Sequence, residues 1–183
     1  GLDESQRTAV KRLYAWIRSC VPDGATSADL STFKSEKFRD EISDYFDKAF
    51  LLTYYLWTDY FLAVDQRAKN MMLRTWDGLI WYITYYDGDT QMGKRNDCFL
   101  VYDYTTDRDT YDAEAGKYAF EGRDSWLWNL VLANLDADLK TQAQALRGVL
   151  TTSRVLDMLN VEQAGNWCDR AYNKSGELKY ILP

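Results

Sequence analysis

Hydrophobic positions recur with a helical period at both ends of the chain, and β-forming residues crowd its middle. Over Glu4 to Cys20, Val10, Leu13, Tyr14 and Ile17 fall three or four apart behind Asp3, which predicts an amphipathic helix with Asp3 as its N-cap. Val21-Pro22-Asp23-Gly24 ends it. A polar stretch carrying Phe33, Phe38 and Ile42 reads as a weaker helix lying on the surface. From Ser43 to Val64, Phe46, Phe50, Tyr54, Trp57 and Phe61 form a stripe that Ala49, Leu52 and Leu56 widen, so a central helix capped by Ser43 or Asp44 is expected.

The period then changes. Asn70 to Trp76 and Leu79 to Tyr86 are rich in β formers, and Asp77-Gly78 between them predicts a short hairpin. A polar loop follows from Asp87 to Asp97, then a third strand is expected over Cys98 to Tyr104. Thr105 to Gly122 is poor in hydrophobic residues and rich in Asp and Tyr, the composition of a long excursion or lid-like loop. Helical spacing returns with Leu127, Leu130 and Val131 behind the cap Ser125. It continues over Asp136 to Leu146, closed by Gly148, then over Thr152 to Asn160 and Val161 to Tyr172.

These elements predict a mainly helical α+β domain with a small antiparallel hairpin or sheet between two helical groups. The expected organisation is one domain over 1–183: a helical lead-in to 44, a helix-loop-hairpin core over 45–104, a loop over 105–122 and a helical bundle over 123–183. The length suits a single domain. The opening Gly-Leu-Asp, with no signal peptide behind it, reads as a piece of something longer.

Composition narrows the chemistry. The chain has no His, which removes Ser-His-Asp and Cys-His catalysis and histidine-ligated zinc together. Its net charge of −6 lacks the basic footprint of phosphate-backbone binding, so nucleic acid is not expected as a partner. Cys20, Cys98 and Cys168 form no C-x-x-C pair and are expected to be buried free thiols. Such cysteines favour synthesis in a reducing cytoplasm without excluding a later place outside it. The longest apolar stretch is interrupted by Thr53, Thr58 and Asp59, so no membrane span is expected. Aromatics reach 15%, and the Tyr54-to-Phe61 run is expected to be core, with one of Trp126 and Trp128 exposed or at an interface.

The candidate chemistry lies where the central helix meets the hairpin. Asp65-Gln66-Arg67-Ala68-Lys69-Asn70 has the Asp-x-x-x-x-Asn spacing of a kinase catalytic loop, and Asp87-Gly88-Asp89 follows the hairpin. A carboxylate that receives a hydroxyl proton, with amide and carboxylate oxygens to hold magnesium, is the set phosphoryl transfer requires. The hairpin is expected to bring Asp87 and Asp89 back beside Asn70. Asp65 at a helix end, Asn70 and Asp87-Gly88-Asp89 are also ordinary turn residues, and Asp87, Asp89, Asn96 and Asp97 would serve as oxygen ligands of a calcium loop.

The block Phe46 to Gly93, including "YYLWTDYFLAVDQRAKNMMLRTWDGLIWYITYYDGDTQMG", resembles the catalytic-lobe core of CotH-type (spore-coat) kinases. With "NDCFLVYDY", "FEGRDSWLWNL", "LRGVLTTSRVLDML" and "ELKYILP", it also resembles large structural proteins of gut bacteriophages. The likeness covers the chain from about residue 45 onward. It implies a kinase-like large lobe with Asp65 as catalytic carboxylate, and Asn70 with Asp87 or Asp89 as magnesium ligands. Arg67 and Lys69 would neutralise the phosphates of ATP. A kinase small lobe would add a Gly-rich loop and a strand Lys. The chain has no G-x-G-x-x-G, and nothing before residue 45 reads as such a sheet. A lone lobe is therefore expected to bind nucleotide weakly or not at all. Two functions follow: a magnesium–nucleotide site for phosphoryl transfer within a larger protein, or a non-catalytic structural or interaction domain of a phage virion or surface protein, whose partners are other parts of that assembly.

Overall fold

A computed structural model describes residues 3–61, 63–67, 70–86, 111–112, 117–118, 125–154 and 157. The chain divides into two compact units, Gly1–Gln142 and Ala143–Pro183.

The first unit opens with α1, Glu4–Ser19, and its start follows from sequence chemistry. Asp3 accepts from the Gln6 backbone N–H at 2.8 Å, while the Gln6 side chain accepts from the Asp3 N–H at 2.9 Å. The buried stripe of α1 is rotated from the expected one. Ala9, Leu13, Trp16 and Cys20 face the core, while Val10 and Tyr14 are exposed. Trp16 sets this rotation: its ring stacks on Tyr45 at 4.1 Å and on Phe38 at 5.4 Å, and the largest ring takes the interior.

The lead-in beyond α1 is core rather than surface. Two short helices, α2 (Ser27–Leu30) and α3 (Glu36–Glu41), run into a 3-10 turn, Ile42–Asp44. Leu30 and Phe38 are wholly buried and Ile42 nearly so. Few apolar residues are present here, and each is used as an anchor.

The central helix, α4 (Lys48–Tyr60), is shorter than its hydrophobic stripe predicted, and Asp47 caps it by accepting from the Phe50 N–H at 2.9 Å. Ser43 and Asp44 do not cap it, because tertiary pairing intervenes: Phe46 bridges Trp81, whose N–H donates to the Tyr45 carbonyl at 2.7 Å.

Strands β1 (Met72–Thr75) and β2 (Trp81–Thr84) pair antiparallel, Met72 opposite Thr84 and Thr75 opposite Trp81. The turn spans residues 76–80, wider than the two-residue one expected. The Asp77 carboxylate accepts from the Leu79 and Ile80 N–H groups, which holds its pKa below the ordinary value, and Gly78 takes φ +74°. Within the stretch expected to be a loop, β3 (Tyr111–Asp112) pairs with β4 (Lys117–Tyr118). The strand expected at Cys98–Tyr104 and the helix expected at Val161–Tyr172 lie outside the described residues.

Helix α5 (Trp126–Asn134) begins at the predicted cap Ser125 and is apolar on nearly every side, so most of it is buried. Its C-terminal end is tied to the lead-in. Asn134 donates to the Phe33 carbonyl at 3.0 Å and accepts from the Ser35 N–H at 2.7 Å, and Lys34 donates to the Ala133 carbonyl. Helix α6 (Asp136–Val149) runs past the Leu146 end that was expected; Lys48 meets Asp138 at 2.9 Å, and Gln142 donates to Thr53 at 2.8 Å. In the second unit the described residues are 143–154 and 157: the α6 portion to Val149, then a helical stretch at 152–154. The architecture is α+β and mainly helical. Among the described residues no helix is long and apolar enough to cross a membrane.

Candidate functional site

The loop joining α4 to β1 carries a polar run in sequence, and several of its described polar residues are buried in the fold. After Tyr60 the chain turns with the Ala63 N–H donating to the Thr58 carbonyl at 2.8 Å, then forms a 3-10 turn, Val64–Arg67. Thr58, Gln66, Arg67 and Asn70 are all buried, as is Asn129 on the facing helix α5.

Three ties fix this loop. The Tyr54 hydroxyl donates to the Gln66 carbonyl at 2.8 Å, and the Trp128 indole N–H donates to the Arg67 carbonyl at 2.8 Å. The Gln66 side-chain amide donates to the Tyr86 carbonyl at 2.9 Å. A 3-10 turn leaves carbonyls that its own backbone does not satisfy, and buried carbonyls need donors. Tyr54 and Trp128 are donors whose rings also fill the core, stacked on one another at 6.2 Å.

Arg67 turns inward. Its guanidinium lies 4.7 Å above the Tyr55 ring and 3.3 Å from the Asp59 carboxylate. Tyr55 and Asp59 are one helical turn apart on α4, so a ring and a carboxylate share a face. The side chain of Arg67 is only 4% exposed, whereas that of Asp59 is 45% exposed. Burial pushes the Tyr54 phenol above its ordinary value near 10, with Tyr85 adding to the shift and Arg67 opposing it. That phenol stays neutral at physiological pH and acts as a hydrogen-bond donor, not a base.

Of the residues singled out in sequence, Asp65 sits in the 3-10 turn, Arg67 is buried against α4, and Asn70 is buried two positions before β1. Lys69, Asp87 and Asp89 lie outside the described residues, as do Asn96 and Asp97. The hairpin register, continued two residues beyond the Met72–Thr84 pair, sets position 70 opposite position 86. The Gln66–Tyr86 hydrogen bond closes the same gap, so the chain is returned to the loop at the residue preceding Asp87. Among the described residues no three carboxylates or thiols gather closely enough to hold a metal ion. Asn70 is the described member of the expected magnesium set, and its carboxamide is the donor type that set requires.

Sequence reasoning missed Tyr54, Asp59, Gln66 and Trp128 as the groups that position the loop. The Tyr55–Asp59 spacing was the available signal for Arg67; the partners of the two loop carbonyls had none, since Trp128 is remote in the chain. Comparison with known proteins returned no matching family model, curated protein or solved structure.

Proposed function

We propose that this chain is a structural and interaction domain, built on a CotH-type kinase-like lobe and belonging to a larger assembly such as a phage virion or a surface protein. The observation that carries this reading is the inward turn of Arg67. One of the two cations expected to meet phosphate is committed to Asp59 and Tyr55, and moving it outward would strip a half-exposed ion pair and a ring contact from the fold. Large exposed aromatic and aliphatic side chains on the hairpin, Met72, Trp76, Leu79 and Tyr86, fit a domain that meets other proteins.

Calorimetric titration of magnesium, then of ATP with magnesium, into wild type and Asp89→Ala tests the reading. Neither protein is expected to give saturable heat. Saturable binding in wild type that vanishes in Asp89→Ala would overturn it.

One observation favours the second reading, phosphoryl transfer. The Gln66–Tyr86 bond secures the position next to Asp87 against the Asp65–Asn70 loop, as an acid and its metal ligands would need. In that reading Asp65 is the catalytic carboxylate, and Asn70, Asp87 and Asp89 hold magnesium. Lys69 is then the cation left for ATP. Bound magnesium would supply charge neutralisation at the phosphates.

A further inference from the structure

A groove of about 460 Å³ runs between α4 and the hairpin. One wall is a stripe of α4, with Phe50, Thr53 and Trp57 on a single helix face; the other is built from Arg74, Thr84 and Tyr85. The lining is overwhelmingly apolar, and Arg74 is its one charged residue among those described. Arg74 is exposed, makes no ion pair among the described residues, and has its guanidinium 5.7 Å from the ring centroid of Trp76, itself 82% exposed. In a chain of net charge −6, a cation beside an apolar channel is a local inversion of the surface.

We propose that this groove binds a short segment of a partner protein that carries apolar side chains with a carboxylate beside them. The proposal deepens the interaction-domain reading and rests on it. Seven residues separate Phe50 from Trp57, about 10 Å along a helix, which matches two turns of a bound helix or three to four extended residues. The apolar anchors would fill the channel between α4 and β2. A carboxylate would meet Arg74, the charge there to select it, and Trp76 would shield that pair from water. A groove of this kind takes its affinity from the anchors and its choice of partner from the charge. The chain's own negative charge disfavours a polyacidic partner, so the segment carries one or two acids at most.

The test uses the full chain and two fluorescein-labelled twelve-residue peptides. Each has Leu and Trp one helical turn apart; a flanking Glu in one is replaced by Lys in the other. Fluorescence anisotropy is expected to show saturable binding of the Glu peptide and roughly tenfold weaker binding of the Lys peptide. Arg74→Glu, at an exposed position, is expected to reverse the preference while leaving circular dichroism unchanged. Thr84→Trp, which narrows the channel, is expected to weaken both peptides. Absence of binding, or equal binding of both peptides unaltered by Arg74→Glu, overturns the proposal. So does concentration-dependent self-association in sedimentation that Arg74→Glu abolishes, because the occupant would then be a second copy. Failure of the peptides leaves the interaction-domain reading standing; that reading falls separately, to saturable magnesium–ATP binding.

Discussion

The loop after α4 and the hairpin that follows it invert what their compositions suggest. Residues 64–70 are mostly polar, yet Gln66, Arg67 and Asn70 are buried. A few positions on, Met72 is 50% exposed and Trp76 is 82% exposed. Hydropathy decides burial only on average; here the deciding quantity is the number of backbone groups that need partners. The carbonyls of the tight 3-10 turn are met by the Tyr54 hydroxyl and the Trp128 indole, which hold the turn against the core and so carry the Gln66 and Arg67 side chains inside, where each has its own partner. The hairpin satisfies its own backbone by strand pairing and by the Asp77 carboxylate, so its outer side chains are released from structural duty. One region has spent its polar groups on the fold, and the other has left its apolar groups for something else.

The comparison breaks most readily at Arg67. Arg67→Met keeps an unbranched apolar stem and removes the charge, so Asp59 loses its ion pair with Arg67 and Tyr55 its cation. Asp59 is half exposed and regains water, which keeps the cost below that of breaking a fully buried pair. A loss of about 2 kcal/mol in urea unfolding, at unchanged m-value, is expected. A variant as stable as wild type would show that the loop is held without its cation, and Arg67 would again be available to a ligand.

How much of this was legible depended on the range of the interaction. The caps Asp3 and Ser125 were readable because each acts within three residues of its own position. The hairpin was readable from Asp77-Gly78, although its wider turn depends on which N–H groups the Asp77 side chain captures. The α4 start was misplaced because the Phe46–Trp81 bridge, between residues far apart in sequence, outweighs a local capping preference. The lead-in reads as surface for a similar reason, since Leu30 and Phe38 are buried by elements that the local pattern does not reveal. At the candidate site the loop's position was legible, but the direction of Arg67 was not.

A smaller effect sharpens the same contrast at Tyr54. Its folded phenol titrates above the ordinary value near 10, so the folded state keeps a proton that the unfolded chain releases. The stability this provides is fully present below pH 10 and declines as pH rises above it. Cys20 acts in the same direction from a lower pH, because burial pushes its thiol from 9.0 up to about 11. Tyr54→Phe is expected to cost about 1 kcal/mol at neutral pH through the lost bond to the Gln66 carbonyl. Above pH 10 the variant's stability should fall less steeply than that of wild type. Parallel stability-versus-pH curves for the two proteins would mean that the phenol is not held by burial.

The smallest expected effect is the one that separates the two regions most cleanly. Trp76→Ser removes the largest exposed ring of the hairpin, and the fold should lose only its contact with Arg74, at 5.7 Å from guanidinium to ring centroid. Unfolding free energy is expected to change by no more than about 0.5 kcal/mol, as for other surface substitutions. Trp76 lies outside the turn's hydrogen bonds, which run through Thr75, Asp77 and Gly78, so the hairpin has no structural need of an indole. A ring of that size kept in water at no benefit to stability is best understood through what it touches in an assembly. Acrylamide quenching of tryptophan fluorescence provides the second arm: Trp128 and Trp16 are shielded, so Trp76→Ser should remove the most accessible component contributed by the described tryptophans. A loss of more than about 1.5 kcal/mol, or a quenching profile that does not change, would place the ring inside the protein and erase the contrast with the buried loop.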